Sequence, residues 1–325
     1  MGMYNFTLII PTHNRHKYLK RSIEYFKNID AKVIYCDSSE KVYDDYLAPN
    51  MEYLHLPSKK FAEKILITLN KTATDFVALC ADDDFILIES LYVGVLFLEK
   101  NREYRTILGE YIAFYDKFNG SFYNVYQKLP QSLNYNSKTN AKLFFENYYQ
   151  ILWALYDKDI LKKSFTIIKE SGFSNDNFIE LTIGAIVCDT GGVRFLNEIW
   201  GVRELTTMEH WGDRHLSIPN NIKDKNIKSD FKLFKTHIDE ITYVGYADLV
   251  LSSYLKCYRN RKTGLYLKIL LKKLIPKELL LHFKNYYSRR QPDLKIENMY
   301  SNLKKVELSS EGELKNIMTI LKSYV

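Results

Sequence analysis

Short apolar runs alternate with amphipathic segments over the first 110 residues of the 325-residue chain. The short runs predict β-strands over 6–10, 32–36, 52–56 and 76–80. The amphipathic segments place apolar residues at helical spacing and predict helices over 17–28, 61–69 and 89–101. Strands that alternate with helices indicate an α/β fold with a mostly parallel sheet flanked by helices.

The rest of the chain carries more varied patterns. Aromatic runs over 111–115 and 122–126 flank Asn119-Gly120, a turn signal that predicts a hairpin. Later elements are predicted as helices over 142–155 and 158–171, a helix start at Ser174-Asn175-Asp176, and a strand over 193–202. From about Asn221 the pattern becomes polar and then helical, so we predict one domain over 1–220 and a helical, basic region over 221–325.

Polar residues follow three of the predicted strands. Pro11-Thr12-His13-Asn14-Arg15 follows the first strand, Asp37 the second, and Asp82-Asp83-Asp84 the fourth. The carboxyl ends of parallel strands meet at one edge of a sheet, where ligands bind in a crevice. These groups are therefore predicted to converge on one site.

The acidic triplet Asp82-Asp83-Asp84 is the strongest chemical signal in the sequence. Three adjacent carboxylates repel one another, and a cation would compensate them. Mg²⁺ and Mn²⁺ favour one or two carboxylates together with substrate phosphate. The alternative is a solvated acidic turn that caps the following helix. Because the triplet comes directly after a strand that is predicted to be buried, we favour the cation site over the solvated turn.

These segments resemble a known protein family. The residues that carry the resemblance are 8–15 (LIIPTHNR), Asp37 and 76–85 (FVALCADDDF), and they resemble family 2 glycosyltransferases with the GT-A fold. The resemblance extends over 7–101, and more loosely over 178–204. It implies a GT-A sheet with a C-terminal helical region added. The triplet departs from the commoner Asp-x-Asp pattern, which leaves open which two aspartates form the pair.

The resemblance implies roles for individual residues. A nucleotide-diphosphate sugar, with a UDP-sugar favoured, would contact Pro11, Thr12, Arg15, Asp37, Lys64, Asp82, Asp83 and Arg203. The cation, Mn²⁺ or Mg²⁺, would be held by Asp84 and Asp82, with His210 as a third candidate ligand; His215 lies nearby. For several of these residues a structural role is the alternative: a surface cation for Arg15, a turn residue for Asp37, a solvated lysine for Lys64, an ion pair for Arg203 and a structural histidine for His210.

The resemblance also implies inversion of the anomeric centre, which would require a carboxylate to take the proton from the acceptor hydroxyl. Glu180 and Asp176 are four residues apart and so share one face of a predicted helix. Glu180 is the first candidate because it lies inside the helix and has no evident capping role. Asp176 is the second, and it equally suits a helix-capping role.

Charge and cysteine content indicate which partners the protein binds and in which compartment it acts. Between Arg259 and Arg290 the chain carries a net charge of +9, so the remainder sums to −2, and the overall +7 does not indicate nucleic-acid binding. Apolar residues interleave with the lysines over 262–290, which suits either peripheral contact with an anionic membrane or a packed helical region. Four scattered cysteines favour a reducing cytoplasm, and no apolar run is long enough to span a membrane.

The predicted function is therefore a metal-dependent glycosyltransferase acting on a glycan or lipid-linked acceptor, in the cytoplasm or at the inner face of its membrane, in surface polysaccharide synthesis. One alternative is a sugar-phosphate nucleotidyltransferase, but the segment after the first strand lacks the usual glycines. The other is a non-catalytic, membrane-associated scaffold on the same fold.

Overall fold

A central sheet organises the part of the chain that the computed structural model describes, residues 4–115, 122–124, 130–205, 217–259 and 308–324. The strands of the sheet are β1 (Phe6–Thr12), β2 (Lys32–Asp37), β3 (Met51–His55), β4 (Phe76–Leu79), β5 (Phe85–Ile86), β6 (Tyr104–Tyr115), β7 (Tyr123–Asn124), β8 (Leu155–Asp157) and β9 (Gly192–Leu205). Their order is β3-β2-β1-β4-β8-β6-β9-β5, and β7 pairs with β6. The sheet is mostly parallel, as predicted, and strands β5, β7 and β8 run against the others.

The parallel strands bring their carboxyl ends to one edge. β1 pairs with β2 so that Thr12 lies opposite Asp37, and β1 also pairs in parallel with β4. β5 runs antiparallel to β9, with Ile86 opposite Gly201. A Cβ atom at Gly201 would lie 2.7 Å from the Phe85 carbonyl oxygen, so glycine is needed for the two strands to approach this closely. The turn before β5 therefore lies beside the end of β9.

Helices flank the sheet. They are α1 (His16–Phe26), α2 (Phe61–Lys71), α3 (Ile88–Lys100), α4 (Ser137–Glu146), α5 (Lys158–Ser171), α6 (Asn177–Thr190), α7 (Lys225–Ile241), α8 (246–259) and α9 (Leu308–Ser323). α1 buries Leu19, Ile23 and Phe26, the stripe that its spacing predicts. Asp157 caps the start of α5, because its carboxylate accepts from two backbone N–H groups, and Gly172 in the left-handed conformation caps the end of the helix.

The C-terminal helices pack onto the sheet domain. α7 packs against α5 and α6, and α9 packs against α1 and α3. The Glu313 carboxylate of α9 accepts hydrogen bonds from the Tyr25 hydroxyl and the Ile88 backbone N–H, both at 2.5 Å. The predicted helical character of this region is confirmed for its described parts, and the boundary near Asn221 stays a prediction. The basic stretch 262–290 lies outside the described residues.

One predicted element was wrong. Residues 142–155 do not form a helix: α4 ends at Glu146, and β8 begins at Leu155. Ile151, Leu152, Ala154 and Tyr156 are all buried, and near-continuous burial suits a central strand and its approach rather than one face of a helix. The predicted hairpin is confirmed by the antiparallel pairing of β6 with β7, although Asn119-Gly120 lies outside the described residues.

Candidate active site

The acidic triplet forms the turn between β4 and β5. The Asp84 backbone N–H donates to the Ala81 carbonyl oxygen at 3.2 Å, which closes the turn. The side chains of Asp82 and Asp84 are about 4–5% exposed, whereas that of Asp83 is 16% exposed. The turn thus points its first and third carboxylates inward.

Arg15, just after β1, binds two aspartates of the triplet. Its Nη1 lies 2.8 Å from Asp82 Oδ1, and its Nη2 donates to Asp83 Oδ2 at 2.6 Å. Thr12 donates from its hydroxyl to the other oxygen of Asp82 at 2.6 Å. The end of β1 therefore meets the end of β4 through charged and neutral hydrogen bonds, as the strand-end pattern predicts.

Arg203 and Glu204, near the end of β9, bind the third aspartate. Arg203 Nε lies 3.2 Å from Asp84 Oδ2, and the Glu204 backbone N–H donates to Asp84 Oδ1 at 3.1 Å. Arg203 also donates from Nη1 to the Gln150 side chain at 2.9 Å. Each aspartate of the triplet consequently contacts a guanidinium group, and two separate arginines supply them.

Burial dominates the electrostatics of the triplet. It raises the pKa of Asp82 to about 7, with a contribution from the neighbouring charge of Asp83 and against the opposing effect of Arg15. It raises the pKa of Asp84 to about 7 against the opposing effect of Arg203. The arginines therefore compensate these carboxylates only in part, and a further cation would favour their ionised form.

Lys64 on α2 is buried beneath the same edge. Its Nζ donates to the Thr12 carbonyl oxygen at 2.6 Å and to the Ser38 hydroxyl at 3.1 Å. Burial lowers the pKa of Lys64, although the charges of Cys36, Asp82 and Asp37 oppose this. Lys64 thus joins the ends of β1 and β2, while Lys60 is exposed at the start of α2.

Asp37 at the end of β2 is fully buried and meets four donors. Oδ1 accepts from the Ser39 backbone N–H at 2.7 Å and from the Ser39 hydroxyl, and Oδ2 accepts from the Tyr53 hydroxyl at 2.7 Å. The His16 ring Nε2 lies 3.0 Å from Oδ2. Burial works to raise the pKa of Asp37, but these hydrogen bonds outweigh it and lower the pKa.

The acidic start of α6 has a different character. Asp176 precedes the first residue of the helix, as predicted. The Glu180 carboxylate accepts from the Tyr148 hydroxyl at 2.9 Å and from the Leu152 backbone N–H at 3.3 Å. Burial raises the pKa of Glu180, and the opposing effects include these hydrogen bonds and the charge of Arg203. Glu180 therefore holds the segment between α4 and β8.

Some contacts were not predicted from the sequence. Arg21 on α1 reaches both Glu204 and the Asp83 carbonyl oxygen, and Gln150 reaches Arg203. His16 and Tyr53 surround Asp37. Helical spacing places Arg21 away from the Leu19, Ile23 and Phe26 stripe of α1, so no local signal marks it, and the other contacts likewise depend on segments far apart in the chain.

The donor set of the triplet suits a divalent cation that also binds phosphate. Asp82 and Asp84 supply two inward carboxylates, which is the usual protein share for Mg²⁺ or Mn²⁺ when a substrate phosphate supplies further oxygens. Within the described ranges no three or more His, Cys, Asp or Glu side chains form an all-protein metal cage. His210 and His215 lie outside the described residues, so a third ligand there stays a prediction.

Solved structures share this architecture. S. aureus TarS 1–349 in complex with UDP-GlcNAc has a TM-score of 0.54 and 16% sequence identity, over 100% of this chain and 91% of that chain. Another S. aureus TarS structure has a TM-score of 0.50 and 15% identity, over 100% of this chain and 55% of that chain. This chain thus spans about half the length of the longer TarS structure. At these identities the similarity shows the fold, which is GT-A-like.

A family model matches the part of the chain that runs from β1 into α5. Residues 7–165, just under half of the chain, match the family model described as Glycosyl transferase family 2, which confirms the resemblance predicted from the sequence. No curated protein matches the sequence. None of the described helices is long and apolar enough to cross a bilayer.

Proposed function

We propose that this protein is a glycosyltransferase that takes its sugar from a nucleoside-diphosphate donor, with a UDP-sugar favoured, and transfers it with inversion to a hydroxyl of a glycan or lipid-linked acceptor. The observation that carries the proposal is the pair of inward carboxylates, Asp82 and Asp84, flanked by Arg15 and Arg203 at the carboxyl edge of the sheet. Alternating acidic and basic groups of this kind suit a diphosphate bound through a cation.

The donor is proposed to lie along the ends of β1, β2 and β4. Pro11 and Thr12 would line the nucleotide, and Arg15, which is 36% exposed, is placed to bind a phosphate group. Asp37 would accept from the base, and because its oxygens already meet protein donors, His16 or Tyr53 would give up a bond on binding. The UDP-GlcNAc bound to TarS 1–349 supports a uracil nucleotide.

Asp82 and Asp84 are proposed to hold Mn²⁺ or Mg²⁺, with Asp83 turned toward Arg15. Such a cation would stabilise the negative charge that develops on the leaving diphosphate. Arg15 and Arg203 would add fixed positive charge next to the same phosphates, and Lys64 would hold the Thr12 carbonyl in place. The contacts that these groups make with one another keep their charges close to the proposed diphosphate position before the donor arrives.

The general base is proposed to come from the start of α6. We place Asp176 first, because its side chain does not cap α6, whereas the Glu180 carboxylate already accepts from the Tyr148 hydroxyl and the Leu152 backbone N–H. α6 packs against β9, the strand that carries Arg203, and the charge of Arg203 acts on the pKa of Glu180. A carboxylate there would take the proton from the acceptor hydroxyl as the sugar is transferred.

A lipid-linked acceptor would place the protein at the inner face of the cytoplasmic membrane, where surface polysaccharides are assembled. The support is the charge of +9 between Arg259 and Arg290 together with the interleaved apolar residues. Removal of 262–290 is expected to abolish binding to anionic liposomes. Unchanged liposome binding would contradict the membrane contact and leave the transferase proposal intact.

A thermal-shift series tests the central proposal. The protein is heated with UDP, CDP, GDP and ADP, each with and without Mn²⁺, and the series is repeated on Asp84→Ala. We expect UDP to raise Tm only with Mn²⁺, and Asp84→Ala to lose the shift. Lys20→Ala on α1 is the control and keeps it, because the Lys20 side chain is exposed and pairs with the exposed Asp45. Indifference to every nucleotide would contradict the proposal.

A further inference from the structure

Arg21 is a buried arginine that takes no part in the proposed contacts with nucleotide, sugar or cation. Its side chain is 8% exposed, and its guanidinium lies 4.9 Å from the ring centroid of Tyr18 and 5.1 Å from that of Phe85. A buried guanidinium is costly to remove from water unless charged and polar partners compensate it. The partners of Arg21 therefore indicate what the side chain is for.

Two groups from distant parts of the chain compensate Arg21. Nη1 lies 2.6 Å from Glu204 Oε2 at the end of β9, and Nη2 donates to the Asp83 carbonyl oxygen at 2.6 Å. That carbonyl belongs to the peptide group that joins Asp83 to Asp84. One guanidinium thus connects α1, the triplet turn and β9.

Glu204 adds a second connection to the same turn. Its backbone N–H donates to Asp84 Oδ1, while its own carboxylate is held by Arg21. The peptide after Asp83 and the carboxylate of Asp84 are thereby fixed from two directions. Small rotations of a turn displace its side chains, so these bonds determine how Asp84 is placed relative to Asp82.

We propose that Arg21 and Glu204 form a positioning pair that keeps Asp82 and Asp84 oriented for joint binding of the diphosphate and its cation. The proposal rests on the function proposed above. Neither side chain needs to touch the substrate; the pair acts through the Asp83 peptide and Asp84. The contrasting possibility is that the pair stabilises the fold and does nothing for the site.

Removing both charges together separates the two possibilities. Arg21→Met or Glu204→Met alone leaves one buried charge without its partner, whereas the double variant leaves none, and paired apolar replacements often restore stability. We expect Tm to fall in each single variant and to recover in the double variant. The affinity for UDP with Mn²⁺, measured by calorimetry, is expected to stay at least about 10-fold weaker in the double variant, because the Asp83 carbonyl has lost its donor.

Recovery of UDP affinity together with Tm in the double variant would overturn the proposal. If the double variant does not fold, Arg21→Lys decides, since one ammonium group keeps the charge beside Glu204 but cannot span both partners as the guanidinium does. We expect Arg21→Lys to keep its Tm and bind UDP with Mn²⁺ about 5-fold more weakly; wild-type affinity would overturn the proposal.

Arg105→Met is the matched control, because Arg105 pairs with Asp157 near the start of β6 and not with the triplet. It should leave UDP affinity unchanged. Wild-type protein that shows no Mn²⁺-dependent UDP binding would contradict the proposed function itself. Wild-type protein that binds UDP with Mn²⁺, together with Arg21 and Glu204 variants that bind equally well, would contradict the positioning pair alone.

Discussion

Two acidic regions of this protein are held in different ways. In the triplet turn, Asp82, Asp83 and Asp84 lie against the guanidinium groups of Arg15 and Arg203. At the start of α6, by contrast, Glu180 accepts from a tyrosine hydroxyl and a backbone N–H. Guanidinium groups partly compensate the first region, and neutral donors hold the Glu180 carboxylate of the second. The first should therefore respond to added cations, and the second to the loss of single hydrogen bonds.

The second region also depends on the C-terminal helices. The Asp230 carboxylate of α7 is buried and accepts from the Ser174 backbone N–H at 3.1 Å, the Ser174 hydroxyl at 2.8 Å and the Asn175 backbone N–H at 2.9 Å. These residues directly precede Asp176. The helix start that would carry the base is therefore fixed by a residue beyond the predicted first domain.

The largest expected effect comes from Asp176→Asn. Loss of a general base reduces kcat by about 10²–10⁴-fold. The proposed donor site at the triplet is untouched, so the affinity for UDP with Mn²⁺ should stay within about 2-fold of wild type. Steady-state transfer rates and calorimetry measure the two quantities separately.

Glu180→Gln is the matched comparison for Asp176→Asn. Glutamine keeps one acceptor oxygen, so we expect a loss of about 1–2 kcal/mol in the free energy of unfolding and a kcat close to wild type. The reverse pattern, with kcat lost in Glu180→Gln and kept in Asp176→Asn, would assign the base to Glu180.

Asp230→Asn is expected to change stability, which is a smaller effect than the loss of kcat in Asp176→Asn. Asparagine offers one acceptor oxygen to three donors, so the free energy of unfolding should fall by about 1.5–3 kcal/mol, measured by urea denaturation. UDP affinity should not change, because the triplet is held by other residues. Asp224→Asn, at the start of the same helix, is the control and should cost less than about 0.5 kcal/mol, since asparagine caps helices as well as aspartate. Equal losses in the two variants would remove the special role of Asp230.

Much of the fold follows from the sequence because it depends on local patterns. The strands β1, β2 and β4 are apolar runs, and polar groups at their ends meet simply because the strands are parallel. This suffices to predict that Thr12, Arg15, Asp37 and the triplet converge. The strand β8 escapes prediction because its apolar residues continue the helical pattern of α4, and only its place between β4 and β6 selects a strand.

Details of the site depend on contacts between distant segments. The triplet alone does not show that Asp82 and Asp84 point inward while Asp83 turns toward Arg15, since this follows from the turn and its pairing with β9. Arg21 is one of several basic residues on α1. Its burial is decided by Glu204, far away in sequence.

The smallest expected effect is a pH dependence of stability that sets the triplet apart from surface acids. The folded protein holds the pKa of Asp82 and Asp84 at about 7, above the ordinary value of 3.8. Between these values Asp82 and Asp84 bind more protons in the folded state than in the unfolded state, so their contribution to stability falls as pH rises from about 4 to about 7. Asp84→Asn removes one of the two groups. The Tm of the variant minus the Tm of the wild type should therefore increase by a few degrees from pH 5 to pH 8, measured without added cation.

The surface variant Asp45→Asn makes this comparison specific. A hydrogen bond from Lys20 lowers the pKa of Asp45, so this group is ionised in both states above pH 5 and its effect on Tm should be constant from pH 5 to pH 8. Mn²⁺ with UDP should remove the pH trend of the wild-type protein, because a bound cation favours the ionised carboxylates. The difference in Tm between Asp84→Asn and wild type could instead stay constant with pH. That result would show that Arg15 and Arg203 already compensate the triplet fully. The contrast between the two acidic regions would then have no electrostatic basis.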